Sequence, residues 1–451
     1  MSHINVECYH SVEKFLANLK NFDVCSNPFE SYAFMSVFMK YKPDGNFYFF
    51  NIYEDDNIIA IIPFECYFES NLLNVKKIRF IGYRQFNYEQ YICKDTDVEK
   101  VHCTFMDYLS SQKHNVLINF YDINDGSILY LILQSSPLKK SVNKLYLCPC
   151  LHFTDSFDDF FKEVFTASKK RAELKKFQKR LAEIGNFRIV NVDDEQLYTQ
   201  NLDYLNQIYR VHRERFADVY ATSFFGSEKM RPYYSELIES LMKDNKGYIS
   251  LLLMDEVVIA FIFCLTNGET LIDWIPAFDP AYAKYSLGLV QYKMIFEKMC
   301  GPKISYKVFD YSKGSSVYKR KWAKEETANY QFVVNLCPKS IVLSILYFFD
   351  KEKFAFKVFL REKGILVKIK RAIGAALSLT KQKEMDSSNV TINYVAVFQD
   401  SSTYQFQYKD ILAMPVKFRE EIISSIFKGG IVKSVEVSGN DTVVTILNKA
   451  L

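Results

Sequence analysis

The sequence predicts an α/β chain of two tandem modules followed by a helical and small α+β extension. Three observations carry that prediction. Strand-like and helix-like runs alternate from residue 27 to residue 335, as layered α/β folds require. A shared order of helix, hairpin, helix and strand occurs twice, each time with an Ile-Ala pair in the hairpin (Ile59-Ala60 and Ile259-Ala260), which points to a duplicated fold although no short repeat is present. A chain of 451 residues also exceeds what a single hydrophobic core organises.

In the first module, Asn27-Pro28-Phe29-Glu30-Ser31 is a turn able to open a helix running through Met39. FYFFNIYEDDNIIAIIPFECYF reads as a hairpin about the polar turn Glu54–Asn57, with Pro63 expected to close or bulge its second strand. KKIRFIGYRQFNYEQYI adds strand, Thr96–Gln112 has helical periodicity, and NVLINFYDI is a buried-strand pattern.

The second module begins near Cys150. Ser156–Phe165 reads as a short helix, and Ser168–Ile184 as a basic one, with Gly185 as its C-cap. NFRIVNV is a strand, and Leu197–Phe216 and Arg231–Lys243 are helices. GYISLLLMDEVVIAFIFCLTNGETLIDWIPAFD gives three strands joined at Asp255-Glu256 and Asn267-Gly268. A helix over Ser286–Met299, a strand SYKVFDYS, a short helix Ser315–Trp322 and a last strand NYQFVVNL complete the module. Lys339–Arg371 is helical, apolar and basic, suited to pack on the protein or to lie on an anionic membrane. Val390–Leu451 alternates like strands around one helix, Pro415–Phe427. The expected divisions are 1–149, 150–336, 337–385 and 386–451.

Composition narrows the function. With 49% apolar and 24% charged residues the chain is globular, and 39 Phe and 31 Tyr supply a large interior. A net charge of +4 gives no reason to expect DNA as a partner, and tRNA is not expected either. The ten cysteines are scattered, which suits a reducing compartment. Cys148-Pro149-Cys150 has no second pair at zinc-site spacing, so no metal is expected. The N-terminal stretch lacks the apolar core of a signal peptide, and no uncharged run reaches the roughly 18–20 residues of a spanning helix. A cytoplasmic protein, with peripheral membrane contact through 339–371 as a further option, is the expectation.

Three constellations could carry chemistry. In WIPAFDPAYAKYSLGLVQYK a strand gives way to a helix at Ser286-Leu287-Gly288-Leu289, where free amides and the positive dipole end suit a pyrophosphate. An ordinary capped helix start is the alternative. In FDYSKGSSVYKRKW a carboxylate, Asp310, stands at a strand end, where α/β sheets bind ligands. A glycine turn and then Tyr318 and Lys319 follow it. Amine acylation needs a base and a proton donor for the leaving group, roles that Asp310 and Tyr318 suit, and Lys319 could hold an anion or an oxyanion. A helix-capping Asp with solvated lysines is the alternative. The basic helix from Ser168 would attract an anionic substrate, unless it is only a solvated face. Lys170, Arg171, His212, Arg215, Asp273, Tyr285 and Lys313 are the candidate acceptor-binding residues.

In order, KKRAELKKFQKRL, IYRVHRERF, MDEVVIAFIF, FDPAYAKYSLGLVQYKMIFEKM and FDYSKGSSVYKRKWA resemble the CelD-like acetyltransferases of the GNAT superfamily. Asp310-Tyr311-Ser312-Lys313-Gly314 and Tyr318-Lys319-Arg320-Lys321-Trp322 match that family's closing segment, with Tyr311 in place of Phe. NPFESYAFM, IIAIIPF and IRFIGYRQFNYEQY resemble its first half, so the likeness covers about residues 25–335. The resemblance implies tandem GNAT modules, as in the FemABX peptidyltransferases, and acetyl-CoA or another acyl-CoA as co-substrate. It also implies a small-molecule or saccharide acceptor in polysaccharide or envelope synthesis. In FemABX-like proteins a Phe-Lys-x-x-Phe segment stands where Tyr318-Lys319 stand here. The expected activity is N-acyl transfer to an amino sugar or related precursor. The alternatives are a FemABX-like aminoacyl-tRNA-dependent transferase and a non-catalytic scaffold of the same fold.

Overall fold

The structure is a computed structural model. It describes residues 3–22, 27–83, 85–112, 115–192, 202–216, 225–300, 306–314, 317–337, 430–438 and 441–448, with isolated positions between 340 and 424. The chain divides into two compact units that do not follow its order. The first holds residues 1–151, 266–272 and 308–363, and the second holds 152–265, 273–307 and 364–451.

The first unit opens with strand β1 (Ile4–Tyr9) and helix α1 (Val12–Asn21), capped by Ser11, whose hydroxyl accepts from the Lys14 amide. Ser31 caps α2 (Tyr32–Lys40) in the same way, accepting from the Phe34 amide. The expected hairpin is β2 (Phe47–Glu54) and β3 (Asn57–Ser70), with Asp55 in the left-handed region that a two-residue turn demands. Pro63 neither ends nor bulges β3. It pairs opposite Phe49, and its carbonyl accepts from the Ile81 amide. The run after Lys76 forms only β4 (Val75–Phe80) and the two-residue β5 (Ile92–Cys93). Helix α3 (Val98–Ser111), β6 (Asn115–Asn124), α4 (Ile128–Ser135) and β7 (Lys139–His152) follow.

Much later the chain returns to this unit through β12 (Val308–Asp310), helix α10 (Val317–Trp322) and β13 (Glu325–Asn335). β13 inserts between β6 and β7 and pairs antiparallel with both. The strand order is β1-β2-β3-β4-β6-β13-β7-β12, then the start of β11 (Thr270–Phe278). β12 and β11 run parallel for three registers only, ending at Ile272 opposite Asp310. The core packs Phe50, Phe64, Phe80, Phe105 and Phe120 among aliphatic side chains, and burying these large rings contributes to the unit's hydrophobic stabilisation. Tyr347, in the basic tail, packs against Val75, Leu117 and Val333.

The second unit contains helices α5 (Phe157–Val164), α6 (Ser168–Ala182), α7 (Leu202–Phe216), α8 (Arg231–Lys243) and α9 (Leu287–Met299). Its strands β8 (Phe187–Val192), β9 (Gly247–Met254) and β10 (Val257–Asn267) lie in that order beside the remainder of β11, antiparallel where β8, β9 and β10 pair. Gly185 is not the left-handed cap expected of it. α6 closes on Glu183 in helical conformation, and Gly185 instead admits Asp255, whose Oδ2 would lie 2.5 Å from any added Cβ. Arg419 and Ile423, helical as expected for 415–427, are buried in this unit. Ile423 joins the cluster of Tyr282, Tyr285, Leu287 and Val290, while Arg419 pairs with Glu214 at 2.6 Å. β14 (Gly430–Ser438) and β15 (Asp441–Asn448) form an antiparallel hairpin. The expected strand near 391–398 lies outside the described residues.

Candidate active site

In the first unit β12 ends at Asp310, and the chain turns sharply through Ser312, whose φ is 56°, and Gly314, whose φ is 103°. That turn is held from both sides. Asp310 Oδ1 accepts from the Ser312 amide at 2.7 Å, the Tyr311 amide donates to the Pro149 carbonyl, and the Gly314 amide donates to the Leu147 carbonyl. Lys319, from α10, donates to the carbonyls of Tyr311 and Lys313, the latter at 3.2 Å. Its ammonium therefore stands within the turn, close enough to favour the ionised form of Asp310. Burial works the other way and dominates, so the Asp310 carboxyl sits above its usual range, against the pull of Tyr88, the Ser312 amide and Lys319. A strand-end carboxyl tuned upward is the pattern expected of a general base working near neutrality.

Lys313 turns inward. Its ammonium donates to the Phe86 carbonyl at 3.0 Å and to Asp122 Oδ2 at 3.1 Å. Asp122 is fully buried, and its Oδ1 accepts from Asn329 at 2.7 Å, so both oxygens are satisfied. Lys313 is thus committed to an internal ion pair, and in this structure it offers an acceptor only its partly exposed edge. Asn87 donates to Ser312 Oγ at 2.5 Å. Beside it Tyr88 carries φ 60°, and its hydroxyl faces Asp310 and Cys148, each of which raises its pKa along with burial. Tyr88, Asp122 and Ser312 are all left-handed non-glycine residues gathered about this one turn, the kind of backbone strain that clusters at functional sites. Glu30 and Glu89 are also buried here. The sequence reading passed over Glu30, Glu89 and Asp122. Their signal was a carboxylate set inside an aromatic run: PFESY, NYEQY and FYDIN.

The second unit presents the helix start. Ser286 adopts the left-handed conformation (φ 52°, ψ 44°), and its side chain makes no cap bond. The amides of Leu289 and Val290 both return to the Ser286 carbonyl, so Leu287 and Gly288 occupy the first turn, where helix amides have no partner in their own helix. Leu287 is buried, and a Cβ on Gly288 would meet nothing within 4 Å. An uncapped helix start with open space before it fits the phosphates of an acyl-CoA.

The remaining candidates are dispersed. Lys170 is exposed, while Arg171 donates to the carbonyls of Phe165 and Thr166, at 2.9 Å in the second case, and so ties down the start of its own helix. His212 packs among Phe216, Phe225 and Phe261, and burial lowers its pKa to about 4. It is therefore neutral at physiological pH and brings no charge to an anionic acceptor. Arg215 lies 4.5 Å over the Phe278 ring. Asp273 is buried and accepts from the Tyr292 hydroxyl at 2.6 Å. Tyr285 is fully buried in the cluster behind the helix start. The backbone of Tyr318 lies in α10, and its side chain is outside the described ones.

Residues 168–320 match the family model of the acetyltransferase (GNAT) domain. That stretch holds the helix start and the Asp310–Lys319 segment alike, so both lie in the part of the chain that resembles an acyltransferase domain of GNAT type. Among solved structures the chain is similar to FemX, at 8% identity over 74% of this chain and 98% of that one, with a TM-score of 0.48. It is similar to the C-terminal domain of a putative lysylphosphatidylglycerol synthetase from Agrobacterium fabrum, at 12% identity over 74% and 95% with a TM-score of 0.47. It is also similar to a tandem GNAT protein from the clavulanic acid biosynthesis pathway, at 6% identity over 74% and 99% with a TM-score of 0.36. No curated protein matches the sequence. Among the described residues no helix is long and apolar enough to cross a membrane.

Proposed function

We propose that the chain transfers an acyl group from an acyl-CoA to the amine of an amino sugar or a related polysaccharide or envelope precursor. The observation that carries the reading is Asp310, a strand-end carboxyl inside the matched domain, lifted by burial and fixed by the Ser312 amide. The acyl-CoA supplies an activated thioester carbonyl. Its phosphates are assigned to the amides at Ser286–Leu289. In the reaction the acceptor nitrogen attacks that carbonyl, its proton passes to Asp310, and the carbon–sulfur bond breaks. The leaving thiolate takes a proton from Tyr318, so the products are an amide and a free thiol. Lys319 holds the turn that presents Asp310, and exposed cations of α6 such as Lys170 draw in an anionic acceptor.

The test is thiol release from acetyl-CoA in the presence of glucosamine, followed from pH 5 to pH 9. The expected rate rises with pH through a value above the ordinary carboxylate range, because only the ionised Asp310 accepts a proton. Asp310→Asn is expected to cost about a hundred- to ten-thousand-fold in kcat while leaving acetyl-CoA binding intact. An Asp310→Asn enzyme as fast as the wild type, with the same pH profile, would overturn the assignment.

A further inference from the structure

Beside Asp310, the first unit's interior contains acceptors that the described residues do not satisfy. Glu89 is 4% exposed and Asn87 1% exposed. Neither Glu89 carboxyl oxygen nor Asn87 Oδ1 has a hydrogen-bond partner among the described residues, while the Tyr88 hydroxyl between them in sequence is engaged with Asp310. A buried polar group left unpaired costs roughly 1–3 kcal/mol, and native interiors leave few of them. Three such atoms, on Asn87 and Glu89, amount to a demand for hydrogen-bond donors beyond the described residues. The contrast with Asp122 is instructive, since each of its oxygens has a donor in Asn329 or Lys313. At the neighbouring turn a Cβ on Gly314 would meet nothing within 4 Å, and Lys313 and Asp310 are partly exposed there.

We infer that Asn87 and Glu89 form the binding site for the acceptor's protonated amine, with the Glu89 carboxylate receiving the ammonium and taking back one proton before the nitrogen, now a free amine, attacks. A primary ammonium has three N–H donors and a positive charge, and the unsatisfied atoms here are mainly acceptors, two of them on one carboxyl group. A neutral polyol would bring donors but no charge. The charged and titratable groups facing Glu89 are Asp122, Lys313, Glu30 and Arg79. Burial, with Asp122 and Glu30, lifts the Glu89 carboxyl well above its ordinary range, and Lys313 and Arg79 oppose that. Without ligand the carboxyl therefore favours its protonated form more than an ordinary carboxylate does. An arriving ammonium favours the carboxylate, so binding expels a proton from Glu89. The inference rests on the amine-acceptor reading above and identifies what recognises that amine.

The experiment is calorimetric titration of the full chain with glucosamine at roughly pH 6, where a primary amine is fully protonated, in the absence of acyl donor. Buffers of different ionisation enthalpy count the protons, and glucose is the control. The expected result is saturable glucosamine binding with close to one proton released, no binding of glucose, and an affinity lowered about tenfold or more in Glu89→Gln. Glucosamine binding without proton release, or equal binding of glucose, would overturn the inference even if Glu89→Gln failed to fold, since both are read on the wild type. Unchanged affinity in a folded Glu89→Gln would do the same. Because no acyl-CoA is present, absence of amine binding sinks this inference alone, and absence of acyl-CoA binding sinks the transferase reading.

Discussion

Glu30 is buried near the turn of Asp310 and accepts from the Gln90 amide at 3.1 Å. Burial raises its pKa to about 8. Its folded-state value thus exceeds its unfolded one, and the folded protein binds the extra proton between them. The stability this contributes is present below about pH 4.5 and is lost as pH rises toward 8. Glu30→Gln, which keeps an acceptor for the Gln90 amide and cannot ionise, is expected to flatten that loss. Thermal melts should show the variant gaining Tm over the wild type at pH 8 and little or nothing at pH 4.5. The strand, glycine turn and helix that carry Asp310 and Lys319 were legible from the sequence because they followed one another in ten residues. The internal ion pair of Lys313 was not. Its partner Asp122 is 191 positions away, and only the fold reveals that the two meet. His212 shows the opposite limit, since helical spacing put it beside Arg215 without telling that it faces inward among rings.

At the scale of elements, strongly patterned segments were read correctly: the hairpin about Asp55-Asp56, the basic helix α6 and the three strands from Gly247 to Phe278. Of β7 the sequence marked only Cys148 and Cys150, near its end, as strand residues. Its first half is rich in lysine and polar residues, and tertiary pairing with β13 is what makes it a strand. The strand expected around residues 305–312 shrank to three residues, because the chain must leave the sheet to build the Asp310 turn. Gly185 was read as a helix cap, a local rule, when the structure needs it for a close approach at long range. A methyl group there would press on Asp255 Oδ2 at 2.5 Å and Met254 Sδ at 2.9 Å, and Asp255 is already held by the Asn186 amide at 3.0 Å. Gly185→Ala is therefore expected to destabilise by about 1–3 kcal/mol, seen as a lower urea midpoint at unchanged m-value.

At the scale of the whole molecule, the two-module character was legible, and the path of the chain between the units was not. Periodicity identifies β13 as a strand. It cannot say that Glu325–Asn335 returns to lie between β6 and β7, because backbone pairing between distant segments leaves no local pattern. The first compact unit takes in residues 266–272 and 308–363 as well as 1–151, so no single boundary in the sequence separates the units. A fragment ending at 151 would expose the facing edges of β6 and β7 where β13 belongs, leaving two unpaired edges and half-covered apolar faces. Expressed alone, residues 1–151 are expected to lack the cooperative melt and dispersed amide spectrum of a folded domain, and adding a peptide of residues 325–335 is expected to restore neither fully. Docking of an acyl thioester's phosphates on the amides at Ser286–Leu289 is measured by calorimetric titration with acetyl-CoA and longer acyl-CoAs. Gly288→Glu, whose side chain enters open space at a helix start that tolerates acids, should melt like the wild type. The wild type is expected to bind acyl-CoA saturably, and Gly288→Glu about tenfold or more weakly through repulsion of the phosphates. A wild type that binds none of the acyl-CoAs, or a Gly288→Glu variant that binds them equally well, would rule out phosphate docking there.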